Sequence, residues 1–248
     1  MTAGQAENDK TKQRNVYIFS DLTEANFPQI AELQMNEDSH QCPWHHIQEM
    51  ALDETDRFVV NYISERLRGG RFAVMNEATL WSRVNYPILA LAETKQVKAW
   101  SEIFAEATFS HVILKGILDG VLGRTIGGLL DKPYFVIAEA KRGIESKDPR
   151  YQLYGQLLAT ALLNQQHEQT DQQITSPHYG CYIIAEYWTF VQAEVERITS
   201  SRPKLQITLS REYSSRFEIE LIAKVLKRIV MDGSNRLQKI QGGNKGAE

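Results

Sequence analysis

The sequence predicts an α/β (α+β) fold: a mixed central sheet flanked by helices. Three observations predict it. Two apolar runs, "SHVILKGILDGVLG" and "YFVIAEAK", are separated by the glycine-containing connection "RTIGGLLDKP" and are close enough to pair antiparallel. The next segment, "YQLYGQLLATALLNQ", carries Leu153, Leu157, Leu158, Ala161 and Leu162 as a helical stripe, long enough for a crossover. Beyond it, "YGCYIIAEYWTFVQAEVE" is two β-branched and aromatic runs meeting near Ala185-Glu186-Tyr187, a hairpin signal.

In chain order, "MTAGQAENDKTKQRN" reads as a polar, mobile tail. "NVYIFSDL" predicts a short strand, and "EANFPQIAELQ" a loop leading into a helix start. "DETDRFVVNYISERLRGG" spaces Phe58, Val59, Tyr62, Ile63 and Leu67 helically and stops at Gly69-Gly70. Residues 1–70 are therefore expected to be an acidic, mainly helical N-terminal extension rather than an independent domain. "NEATLWSRVNYPILALAETK" predicts a helix capped by Asn76 and bent or broken at Pro87. "KAWSEIFAEA" reads as a second short helix, and Gly116 as a bulge in the first long strand. "KLQITLSRE" adds a strand, and "RFEIELIAKVLKRIVM" an amphipathic helix with Ile219, Ile222, Ala223, Leu226 and Ile229 inward. The core is expected over 71–232 and a flexible tail over 233–248.

Composition narrows the class. With 42% hydrophobic and 24% charged residues, the 248-residue chain is an ordinary globular sequence. No apolar run reaches the roughly 18 residues of a membrane span, so no membrane partner is expected. Cys42 and Cys181 are too few for a disulfide framework and fit a reducing compartment, the cytoplasm or a nucleus. The net charge of −3 conceals a gradient. Residues 1–65 hold four Lys or Arg against twelve Asp or Glu, and residues 201–248 hold ten against five. A polyanion would be drawn to the C-terminal part.

The chemistry concentrates where "FVIAEAK" ends. Glu139 and Lys141, two apart on a strand, share a face. Asp119, twenty residues before Glu139, can reach the same end of the sheet from the neighbouring strand. Two carboxylates with the Ala140 carbonyl make an oxygen-only site, which suits Mg²⁺ or Mn²⁺. Lys141 beside it could orient or deprotonate water. The set suits phosphodiester hydrolysis. It is poor equipment for acyl transfer, since no Ser or Cys nucleophile stands beside a base.

"GILDG" followed by a hairpin turn and "FVIAEAK" resembles the PD-(D/E)xK nuclease superfamily, the restriction-endonuclease-like fold, over about residues 72–230. Its signature is an Asp on one core strand and (Asp/Glu)-x-Lys on the next, matched by Asp119 and Glu139-Ala140-Lys141. Members that add a Glu on the preceding helix are matched by Glu77. Branches with Gln-x-x-x-Tyr on the following helix, such as the exonuclease domains of recombination helicases, are matched in part by Gln152 and Gln156, with Tyr154 between. The hairpin after that helix is similar to the one in type I restriction subunit nuclease domains. The proline usual before the strand Asp is replaced by Leu118. The resemblance implies a Mg²⁺- or Mn²⁺-dependent nuclease acting on nucleic acid, DNA in the first place. Asp119 and Glu139 would hold the metal with Glu77 assisting, Lys141 would activate water, and Gln152 or Gln156 would orient water or phosphate. Cutting both strands would favour a homodimer. A catalytically inactive module of the same fold is the rival, with the acidic N-terminal residues covering the cleft or docking a protein partner.

Plainer roles stand beside these. Asp119 could cap a turn with Gly120, and Glu139 with Lys141 could be a weak surface pair. Glu77 is favoured in a first helical turn by the macrodipole alone, and both glutamines fit ordinary exposed helix positions. Lys115, Arg124, Lys132, Arg142, Lys147 and Arg150 are candidates for backbone contacts to nucleic acid or for a solvated rim. In "HQCPWHH", His40, Cys42, His45 and His46 supply zinc-type ligands, yet no second ligand pair appears elsewhere, and a packed aromatic loop is expected instead.

Overall fold

A computed structural model describes residues 14–68, 75–143, 148–168 and 176–243. The tail before Arg14, the Gly69-Gly70 stop and Lys147 lie outside these residues. One mixed sheet organises the rest. Strands β1 (Asn15–Ile18), β2 (Glu32–Asn36), β3 (Val97–Thr108), β4 (Val112–Ile126), β5 (Leu129–Lys141), β6 (His178–Ile184), β7 (Tyr187–Glu196) and β8 (Lys204–Ser214) lie in the order β1-β4-β5-β6-β7-β8-β2, with β3 on the remaining edge of β4. Helices α1 (Glu54–Arg68), α2 (Glu77–Leu80), α3 (Tyr86–Ala90) and α5 (Ile219–Gly243) cover one face. Helix α4 (Pro149–Glu168) covers the other. No described helix is long and apolar enough to cross a membrane.

The expected core connections hold. β4 and β5 are antiparallel, joined at Gly127-Gly128, both with positive φ as a tight primed turn requires. The connection is thus two residues, not the longer "RTIGGLLDKP". The α4 crossover brings β6 parallel to β5, and β6 and β7 form the anticipated hairpin at Ala185-Glu186. Asn76 caps α2 by accepting from the Thr79 N–H at 2.8 Å. Pro87 lies in the first turn of α3, and the distortion sits just upstream as a π-helical turn over Trp81–Asn85.

Five expectations are corrected. The N-terminal extension is not helical throughout: beside α1, β1 pairs parallel with β4 and β2 parallel with β8, so the segment also supplies two edge strands. "EANFPQIAELQ" accordingly ends in β2, after a short 3-10 turn at Phe27–Gln29. "KAWSEIFAEA" is part of β3. Gly116 is not a bulge, because β3 and β4 pair without a register shift there; the shifts fall at Leu122 to Arg124 against β5. Gly116 instead admits Phe19, whose ring carbon lies 3.0 Å from where a β-carbon would be. Finally, the stretch after Val230 continues α5 to Gly243 rather than fraying.

The fold prepares a gap in the sheet. Because β3 follows β4 along one edge, β1 and β5 must share the other, β1 against 112–115 and β5 against 120–126. No described strand pairs with that edge between Lys115 and Gly120. The side-chain alternation also slips here. On β3, Val97 and Ala99 join the core under α5, whereas Ala105 and Ala107 join the core under α4. Regular two-residue alternation would keep all four on one face. The slip coincides with Glu102, a non-glycine residue at φ 56°. On β4, Leu114, Leu118 and Val121 all join the α4 core, so the same slip occurs between Leu118 and Val121, around Asp119.

Tight packing where β5, β6 and α4 meet gives the first prediction. A β-carbon at Gly180 would lie 2.9 Å from the Ile137 carbonyl oxygen and 3.0 Å from Leu153. Backbone cannot step aside as a side-chain end can. Gly180→Ala should cost about 1–3 kcal/mol, seen as a melting temperature lower by several degrees; an unchanged melt would show that the contact relaxes.

Candidate active site

Three elements build the site. β5 delivers Glu139 and Lys141 to the α4 side, and Lys141 Nζ donates to Glu139 Oε1 at 2.5 Å. α4 brings Gln156, whose Nε2 donates to Glu139 Oε2 at 2.8 Å and to the Ile117 carbonyl, inside the gap, at 3.4 Å. β4 contributes Asp119, whose Oδ2 accepts from the Ala140 N–H at 3.0 Å. That N–H lies just where β4 and β5 separate beyond the Gly120–Ala138 pair. A carboxylate thus replaces the lost ladder partner and is tied to the backbone between Glu139 and Lys141.

The electrostatics follow from burial. Glu139 and Gln156 are both 0% exposed, and the Lys141 side chain is 17% exposed. Burial first, then the charge of Asp119, push the Glu139 carboxyl up to about 8, against the pull of Lys141 and Gln156. Burial likewise raises Asp119, opposed by the Ala140 N–H, Lys141 and a hydrogen bond with Glu139, while Glu102 adds to the rise. The charge of Asp119 therefore works with burial against ionisation of Glu139. Lys141 is pulled down by burial but raised on balance by Glu139, Asp119 and Glu77, so it stays an ammonium.

The other sequence candidates divide. Gln156, not Gln152, makes the contact to Glu139; Gln152 is buried one turn earlier on the same helix. Glu77 is exposed in the first turn of α2, near enough for its charge to act on Lys141. Among the described residues no three His, Cys, Asp or Glu side chains gather closely enough to hold a metal ion, so Asp119 and Glu139 stand as a pair. The plainer alternative of a solvated Glu139–Lys141 surface pair is overturned by their burial. Of the basic residues, Lys115 pairs with Glu106 at 3.8 Å and Arg150 with Asp148 at 2.6 Å. Arg124 and Lys132 sit toward the hairpin end, about 16 and 23 Å along their strands from Asp119 and Glu139. Arg142 is exposed beside the site.

Glu102 was not foreseen. It lies opposite Asp119 across the β3–β4 pair, and its charge reaches that carboxyl. Nothing in the sequence marks it, because the left-handed backbone that places it leaves no residue signature when glycine is not used.

The histidine loop packs by its rings. Cys42 and Trp44 enter the core under α5, Trp44 Nε1 and His45 Nε2 both meet Asp38 at 2.9 Å, and His46 Nε2 meets the His40 carbonyl at 2.6 Å. Compared with known proteins, the chain matches no family model and no curated sequence.

Proposed function

We propose that the chain is a metal-dependent nuclease of the restriction-endonuclease-like fold, hydrolysing phosphodiester bonds of nucleic acid, with DNA as the first substrate to test. One observation carries the reading: Asp119, Glu139, Lys141 and Gln156 form one connected polar cluster in a sheet gap whose surroundings are apolar. The element order supports it. A helix bearing Glu77 precedes the Asp119 strand, the Glu139-Ala140-Lys141 strand follows it, and the glutamine-bearing α4 comes next, in the order that the PD-(D/E)xK resemblance implies.

The donor set fits a hard divalent ion, since a cation held by the two carboxylates would favour their ionised forms and release the Glu139 proton to solvent. Asp119 and Glu139 would hold Mg²⁺ or Mn²⁺, with the Ala140 carbonyl and, through water, Glu77 completing the oxygen ligands. Bound there, the ion would supply Lewis-acid stabilisation of the phosphate and a water of lowered pKa. Lys141, held cationic, orients a water and steadies charge developing on the phosphate; its raised pKa argues against proton abstraction. Gln156 fixes the Glu139 carboxylate from the far side.

The complete burial of Glu139 favours the second reading, an inactive module of the same fold, because a 0% exposed carboxylate must move to meet an ion. Titration with Mn²⁺ separates the two. A nuclease should gain several degrees of melting temperature at millimolar Mn²⁺, more near pH 8 than near pH 6 as the ion displaces the Glu139 proton, and should cut labelled DNA in its presence. Neither a melt shift nor cleavage of DNA or RNA would remove the nuclease reading.

A further inference from the structure

At the other end of the sheet, about 16 Å from Glu139 along β5, lies a cavity of about 480 Å³. It is bounded by the middle of β5, the beginning of β6, the end of β7, the C-terminal half of α4 and the middle of α5. Its size falls within the range of small-molecule sites. Aromatic side chains form much of the wall, with Tyr134 and Phe135 from β5 and His178 and Tyr179 from β6. The wall is braced: Asn164 on α4 accepts from the Tyr134 N–H at 2.9 Å and donates to its carbonyl at 3.0 Å.

Arg236 supplies the cavity's charge. It is half-buried and makes no ion pair or hydrogen bond among the described residues. The acid one turn before it, Asp232, is taken by Arg228 at 2.9 Å. The other arginine of the lining, Arg197, is paired with Glu32 at 3.1 Å, and Glu196, the acid of the lining, is bound by Lys204 and Gln206. A single uncommitted guanidinium therefore faces an aromatic chamber. Burial, and then Arg236 itself, hold the His178 imidazole neutral, so it adds hydrogen-bonding capacity without a second positive charge.

We propose that this cavity binds a small aromatic anion, of about the size of a nucleoside monophosphate, with its acidic group on Arg236 and its ring between the tyrosine and histidine walls. A guanidinium fork matches a phosphate or a carboxylate in two parallel hydrogen bonds, and the aromatic side chains of Tyr134, Tyr179 and His178 in the lining supply apolar contact for a ring. The site is separate from the Asp119–Glu139 cluster and does not depend on the nuclease reading.

Calorimetric titration of the full chain tests it, with adenosine 5′-monophosphate and benzoate as probes and adenosine and inorganic phosphate as controls. At least one of the two anions should bind at one equivalent. Adenosine 5′-monophosphate alone would assign the acid as phosphate, and benzoate alone as carboxylate. The matching control should bind at least about tenfold more weakly, as should either anion to Arg236→Gln. Because Arg236 has no internal partner, that variant should melt with the wild type. Asp119→Asn should bind unchanged, which separates this cavity from product binding at the nuclease site. Failure of both anions to bind, measurable binding of adenosine that equals that of its monophosphate, affinity that survives Arg236→Gln, or affinity that falls with Asp119→Asn would each overturn the proposal.

Discussion

Lys141→Met should lower metal-dependent cleavage by about 10²–10³-fold while costing the metal-free fold only about 1–2 kcal/mol, roughly 3–6 °C of melting temperature. The first number follows from position. Lys141 is the cation that the structure holds against the carboxylate pair, at 2.5 Å from Glu139, and methionine keeps its apolar length without the charge. The second needs more care, because truncating one partner of a buried ion pair costs about 3–5 kcal/mol when the other charge is stranded. Here it is not stranded. Burial and Asp119 already push Glu139 up to about 8, and loss of the ammonium would push it further, so near neutral pH Glu139 takes a proton instead of remaining as a bare anion. Gln156 still donates to it. Cleavage within tenfold of wild type would remove Lys141 from the mechanism. A collapse of the fold would show that Glu139 is ionised after all.

What the sequence discloses depends on whether a residue's partners lie along its own strand. Glu139 and Lys141 are legible because period two on a strand needs only local geometry, and their apolar approach marks burial. Asp119 and Gln156 are legible only through pattern matching, since the gap that seats them arises from β1 and β5 sharing one edge of β4, a fact of topology. β3 misleads for a related reason. Trp100 and Ile103 both pack toward α4, three residues apart, because the strand changes face at Glu102. That spacing imitates a helix. At the C-terminus, "DGSN" reads as a stop, yet α5 runs through it. Gly233 lets the helix approach β5 so closely that a β-carbon would lie 2.4 Å from the Phe135 ring. That close approach offsets the roughly 1 kcal/mol by which glycine disfavours a helix. β1 and β2 are short edge strands whose pairing partners lie about 100 and 170 residues away, and no local pattern can announce such a distance.

Glu139→Gln should abolish cleavage and at the same time raise the melting temperature of the metal-free protein, increasingly so as the pH rises. The sign comes from linkage. Glu139 has its pKa raised in the folded state, from 4.5 to about 8. Its contribution to stability is therefore fully present below pH 4.5 and is lost progressively as the pH climbs to about 8, because the unfolded chain ionises first. At 1.36 kcal/mol per unit, a shift of that size is an upper bound of roughly 5 kcal/mol. Glu139 and Asp119 titrate as an interacting pair, which reduces the observable part to about 2–3 kcal/mol, some 4–12 °C for a chain of this length. Glutamine has no ionisation to suffer. Its amide can also be satisfied: Gln156 Oε1 is buried without a hydrogen-bond partner, and rotation of that amide would let it accept from the introduced NH₂ group. In a chelator-containing buffer the two proteins should melt together near pH 5 and diverge toward pH 9, with the variant higher. A constant difference across that range, or a wild type that gains on the variant as the pH rises, would mean that Glu139 is an ordinary ionised carboxylate. The fold would then gain stability from this cluster, and holding a buried and a half-buried acid ready for a cation would no longer explain why the sheet is opened there.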